Sequence, residues 1–75
     1  KNLAVINVCD LAKFESGSVV DEEALVRSGL IKGKRDGIKL LGNGEINTSL
    51  TVKVNKISKS AKSKIESAGG QVEVI

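Results

Sequence analysis

Ser58, Lys59, Ser60, Lys62 and Lys64 place two hydroxyls and three ammonium groups in seven residues at the start of a helix expected over Ser58–Ala68. Cations at a helix N-terminus oppose the macrodipole, at a cost of about 0.3–1 kcal/mol each. A bound phosphate would reverse that penalty. It would meet free backbone N–H groups, the Ser58 and Ser60 hydroxyls and the lysines together. The alternative is that these lysines are simply solvated on an exposed face. Lys32, Lys34, Arg35, Lys39, Lys53 and Lys56 carry the same chemistry upstream. Residues 31–64 hold nine basic and two acidic side chains, a net +7, whereas residues 1–30 and 65–75 each come to −2. One sign of charge so concentrated attracts polyanions and favours an anionic partner, bound with strong salt dependence.

Other chemistries find little support. With no histidine in the chain, Ser-His and Cys-His nucleophile systems are absent, and no Cys/His cluster is available for zinc. Gly42-Asn43-Gly44 lacks the third glycine of the dinucleotide fingerprint, and neither it nor Gly33-Lys34-Arg35 completes a P-loop. Cys9 is the sole cysteine, which excludes an internal disulfide and suits a reducing compartment. It is expected to pack as a small hydrophobe, the alternative being a reactive thiol. Phe14 is the only aromatic residue and lies outside the basic stretch. Single-strand binders stack bases on rings, so the composition favours contacts to the phosphate and sugar of folded RNA.

The elements that would position these groups form an α/β pattern. Ala4–Val8 reads as a short buried strand, and Asp10–Phe14 as one helical turn capped by Asp10. Asp21 is a natural N-cap, followed by Glu22 and Glu23 at the positive end of the dipole. Val20 and Leu25 sit at hydrophobic-staple positions, and Gly29-Leu30 fits a Schellman ending. A basic loop (31–37) leads to a strand at Ile38–Leu41 and a turn at Gly42–Gly44. Leu50, Val52 and Val54 alternate with Thr51 and Lys53, a half-buried strand that points Lys53 to solvent or a partner. In the second helix Ala61, Ile65 and Ala68 make a narrow apolar stripe, ended by Gly69-Gly70, and Gln71–Ile75 closes as a strand. No internal repeat is visible.

Seventy-five residues, 40% of them apolar, suffice for one small domain. No apolar run approaches the roughly 20 residues of a membrane helix. The first residues do not read as a signal peptide, and a start at Lys1 with no methionine points to a fragment of a longer protein.

The series of segments resembles a known family. Leu41-Gly42-Asn43-Gly44-Glu45-Ile46 followed by Leu50-Thr51-Val52-Lys53-Val54 is similar to the "LGxGxL…LTVKA" signature of large-subunit ribosomal protein fifteen, bacterial type. Ile57-Ser58-Lys59-Ser60-Ala61, Ile65-Glu66, Ala68-Gly69-Gly70 and Val72-Glu73-Val74 resemble its "FSxxA…IExAGGxVEV" ending. Val5–Val8 with Asp10-Leu11, Asp21–Leu25 with Gly29–Ile31, and Asp36–Leu41 resemble its "VVNVxDL", "PEAL…GLI" and "DGVKVLG" segments, in order and at matching spacing. Val54, Ile57 and Cys9 depart from the pattern, the first two in ways a core can absorb.

The resemblance implies a single C-terminal globular domain over residues 1–75, folded as an irregular superhelix of β-β-α turns with short strands and two main helices. It implies a structural role in the large subunit of a cytoplasmic or organellar ribosome. Ribosomal RNA and neighbouring ribosomal proteins would be the partners, with no cofactor and no reaction. The family's basic, glycine-rich N-terminal extension is expected to be missing here. Charge clustering, not the resemblance, nominates Lys32, Lys34, Arg35, Lys39, Lys53, Lys56, Ser58, Lys59, Ser60 and Lys62 as the RNA-facing residues. The rival is an adaptor domain whose basic stretch binds an acidic protein.

Overall fold

The computed structural model describes residues 3–32 and 36–75; Lys34 and Arg35 of the expected interface lie outside the described residues. In chain order the elements are β1 (Leu3–Asn7), a 3-10 helix (Val8–Lys13), β2 (Val19–Val20), α1 (Glu22–Ser28) and β3 (Gly37–Leu41). They continue with β4 (Thr51–Val54), β5 (Lys56–Ile57), α2 (Lys59–Ser67) and β6 (Gln71–Val74). Successive strands alternate between two three-stranded sheets, β1-β3-β5 and β2-β4-β6, and every pairing is parallel. The chain therefore winds round three times, and each coil lays one strand on each sheet. This winding agrees with a superhelix of short strands and two main helices, but only the first coil runs β-β-α; among the described residues the second has no helix and the third runs β-α-β.

The coils are unequal. Leu3 pairs with Gly37 but Lys39 with Lys56, separations of 34 and 17 residues. Val19 pairs with Thr51 and Thr51 with Gln71, separations of 32 and 20. A structural repeat without a fixed period leaves no repeat in the sequence.

One apolar core lies between the inner faces. Ala4, Ile6, Ile38 and Leu40 come from the first sheet, and Val20, Val52 and Val54 from the second. Leu25 of α1, Ala61 and Ile65 of α2, Val8 and Leu11 of the 3-10 helix, and Ile31, Ile46 and Leu50 between the elements complete it. The period-2 alternation of each strand thus decides which side chains are left for the outer faces. Among the described residues no helix is long and apolar enough to cross a membrane.

The local signals of α1 operate as expected. The Asp21 carboxylate accepts the Ala24 N–H at 2.9 Å, and Val20 and Leu25 are both fully buried. Gly29 takes φ +86°; its N–H donates to Val26 O and the Leu30 N–H to Leu25 O, the two bonds of a Schellman ending.

Three expectations need correction. The first short helix begins at Val8, so Asn7 holds the N-cap position and Asp10 lies inside, its carboxylate accepting the Asn7 N–H at 2.9 Å. Cys9 is exposed rather than packed. A 3-10 helix has three residues per turn, so Val8 and Leu11 share the buried face and Cys9 falls between them. The first strand is buried on one face only, with Val5 57% exposed, because no described element covers the other face of its sheet. Val74 in the closing strand is also exposed, since β6 is the edge of the second sheet.

Candidate nucleic-acid interface

Lys39 and Lys56 stand 17 positions apart in the sequence and are neighbours in the fold. They are Cα partners across the parallel β3–β5 ladder, and both are exposed. Adjacent strands lie about 4.7–4.9 Å apart. Ile38, Leu40 and the packed Ile57 turn inward, so both lysines turn outward from the first sheet. Val5 continues the row on β1, in register with Lys39. Beyond β1 the exposed Lys32 borders a hollow shared with Leu3, Val5 and Leu30. The outer face of the first sheet thus carries two of the nominated lysines in a row with an exposed apolar residue, and a third lies beside its β1 edge.

α2 adds a second group. Lys59 and Lys62 are exposed and stand three residues apart, hence on one helix face. Lys59 follows Lys56 by three residues, a reach of at most about 11 Å of extended chain. The Ser58 hydroxyl is engaged: it caps α2 by accepting the Ala61 N–H at 3.2 Å and lies 3.3 Å from the Ser60 hydroxyl. The exposed Ser60 sits against Gly42, where a Cβ would overlap its hydroxyl and the Ala61 backbone nitrogen. The start of α2 is therefore partly occupied by its own cap and by the preceding loop.

Lys53 is not brought to this face. It extends from the outer side of the second sheet, half-buried, in register with Glu73 of β6. The ion pairs formed among the described residues are Arg27–Glu23 at 3.4 Å and Lys64–Glu45 at 3.4 Å. Neither involves Lys32, Lys39, Lys53, Lys56, Lys59 or Lys62.

Residues 5–73 match the family model that groups ribosomal proteins 50S-L15 and 50S-L18e with their 60S counterpart. The chain belongs to this family. It is 64% identical, over all 75 residues and 51% of the relative, to Large ribosomal subunit protein uL15 of Desulfosudis oleivorans. Over the same shares it is 61% identical to the protein of that name from Lactobacillus delbrueckii subsp. bulgaricus and 53% to that from Citrifermentans bemidjiense. The chain spans about half the length of the curated relatives it matches.

Within this ribosomal-protein fold one lysine of the basic stretch has a different task. The Lys64 ammonium donates to the carbonyl oxygens of Gly42, at 2.7 Å, and of Gly44, tying α2 to the loop after β3. The sequence held a signal for this. Lys64 lies three residues after Ala61 and four before Ala68, on the apolar stripe rather than beside it. The pairing of Lys39 with Lys56 had no such signal, because register between distant parallel strands is not written locally.

Proposed function

We propose that the chain is a structural constituent of the large ribosomal subunit. It binds ribosomal RNA through the outer face of the first sheet and the exposed face of α2, and supports subunit assembly rather than catalysing a reaction. Neighbouring ribosomal proteins are its further contacts. The observation that carries this is the open outer face of the β1-β3-β5 sheet. All-parallel sheets are nearly always covered on both faces. Here the middle row of one face presents Val5, Lys39 and Lys56 to solvent. A face with these cations is complementary to sugar–phosphate backbone, and the family's relatives are named for the large subunit. Contacts of this kind hold a folded RNA by shape and charge, without base readout.

The test is charge reversal. Lys59→Glu with Lys62→Glu, in the full-length protein, is expected to weaken filter binding to large-subunit ribosomal RNA by about tenfold or more at roughly 0.15 M salt, and to flatten its salt dependence. Unchanged binding rejects the proposal. In cell extracts the protein is expected to sediment with large subunits and to be released only by high salt. Recovery in the soluble fraction would favour the adaptor alternative.

A further inference from the structure

We infer that Lys39 and Lys56 act as one two-pronged clamp on a single RNA phosphodiester. The clamp presupposes that the first sheet faces RNA, and it names the site on that face where one phosphate is fixed. Three observations converge on it. The two residues are direct partners in the β3–β5 ladder, where like charges facing each other are unfavourable. β5 is only two residues long; Ile57 packs against the core, so its one outward position is spent on placing a cation beside Lys39. Neither lysine belongs to the ion pairs formed among the described residues, so their repulsion is not relieved by such a pair.

The geometry permits a single phosphate to be shared. The lysines start from backbones about 4.7–4.9 Å apart, a base shorter than the reach of either side chain. Their ammonium groups can converge on the oxygens of one phosphate, and an anion placed between them converts the repulsion into two attractions. The backbone under the pair is fixed from both flanks: the Asn55 N–H donates to Ile38 O at 3.1 Å and the Ser58 N–H to Leu40 O at 3.0 Å. Val5, next in the row, offers an apolar ledge against which the adjoining ribose can lie.

The experiment measures binding of the full-length protein to a large-subunit ribosomal RNA transcript across a salt series. The variants are Lys39→Gln, Lys56→Gln, their double, and Lys59→Gln with Lys62→Gln as reference. Each single variant is expected to raise Kd several-fold at roughly 0.15 M salt. The double is expected to lower the slope of log K against log salt by about 0.7–0.9, the value for one phosphate. Melting of the free protein monitors folding, and Lys56→Glu, which replaces repulsion by attraction, is expected to melt no lower than the wild type. A slope change of about twice that size, with multiplying effects on Kd, assigns the lysines to separate phosphates and overturns the clamp. An unaffected Lys39→Gln/Lys56→Gln double beside a weakened Lys59→Gln/Lys62→Gln reference overturns the clamp and leaves the RNA-facing surface standing. Wild-type binding by all variants overturns both.

Discussion

Replacing Lys64 by methionine keeps the aliphatic stem on the α2 stripe and removes the ammonium group. The structure sets the size of the effect. That ammonium donates to two backbone carbonyls and lies 3.4 Å from Glu45. Hydrogen bonds to a charged group are worth about 1.5–3 kcal/mol each, but two bonds sharing one ammonium do not add fully. The side chain is 31% exposed, so water replaces part of what is lost. The Glu45 carboxylate is 84% exposed, and a surface pair of that kind contributes about 0–1 kcal/mol. The expected loss is about 2 kcal/mol. A 75-residue domain has a total stability of roughly 4–11 kcal/mol, so the variant loses a large fraction. Its Tm is expected to fall by about 8–16 °C. Urea unfolding at about 0.1 and 1 M NaCl is the assay, with the same loss expected at both salts because the bonds to carbonyls dominate. A loss below about 0.5 kcal/mol, or one that vanishes at the higher salt, refutes the carbonyl-tether account.

Two further outcomes are expected. Asn55→Ala removes an amide whose Oδ1 accepts the Ile38 N–H at 2.9 Å and whose nitrogen donates to Ile75 O at 3.4 Å; it is expected to cost about 1–3 kcal/mol in urea unfolding, and a neutral effect would show that water replaces both bonds. Cys9 is expected to react stoichiometrically with a thiol reagent in the native protein at a rate close to that of the unfolded chain, and protection in the absence of a partner would contradict its exposure.

α1 was legible in the sequence because its cap, staple, dipole charges and Schellman glycine all lie within one short segment, Val20 to Leu30. α2 and four of the six strands (β1, β3, β4 and β6) were legible for the same reason: a cap and a stripe, or a simple alternation, is local; β2 and β5, two residues each, are too short to show a period and were not foreseen. What the sequence concealed depends on coils of unequal length. A count of charge over residues 31–64 treats Lys39, Lys53 and Lys56 as one surface. Successive strands change sheet, however, so β3 and β5 share an outer face while β4 carries Lys53 to the other sheet. Lys39 and Lys56, the more distant pair in sequence, are the ones that meet. Cys9 was misjudged for a smaller reason. It was expected to be packed because cysteine is commonly buried, whereas the 3-10 helix that starts at Val8, inside the expected strand, turns it outward between Val8 and Leu11.

The same alternation ties stability to the proposed interface. In β3, Ile38 and Leu40 enter the core and Lys39 leaves it; in β5, Ile57 packs inward and Lys56 points out. A slip of one residue in either strand would bury a cation and expose core side chains, so the hydrophobic pattern holds the register firmly. The packing that stabilises the domain therefore also aligns the two ammonium groups, with no contact between the lysines needed to place them. Their repulsion in the free domain is small beside the apolar burial beneath them, which is why a fold of this size tolerates it. Substitutions at Lys39 and Lys56 act on an outer face and leave that burial intact. Substitutions at Ile38 or Leu40 reach the same face only by loosening the strands. Binding and folding can thus be perturbed separately at neighbouring positions of one strand.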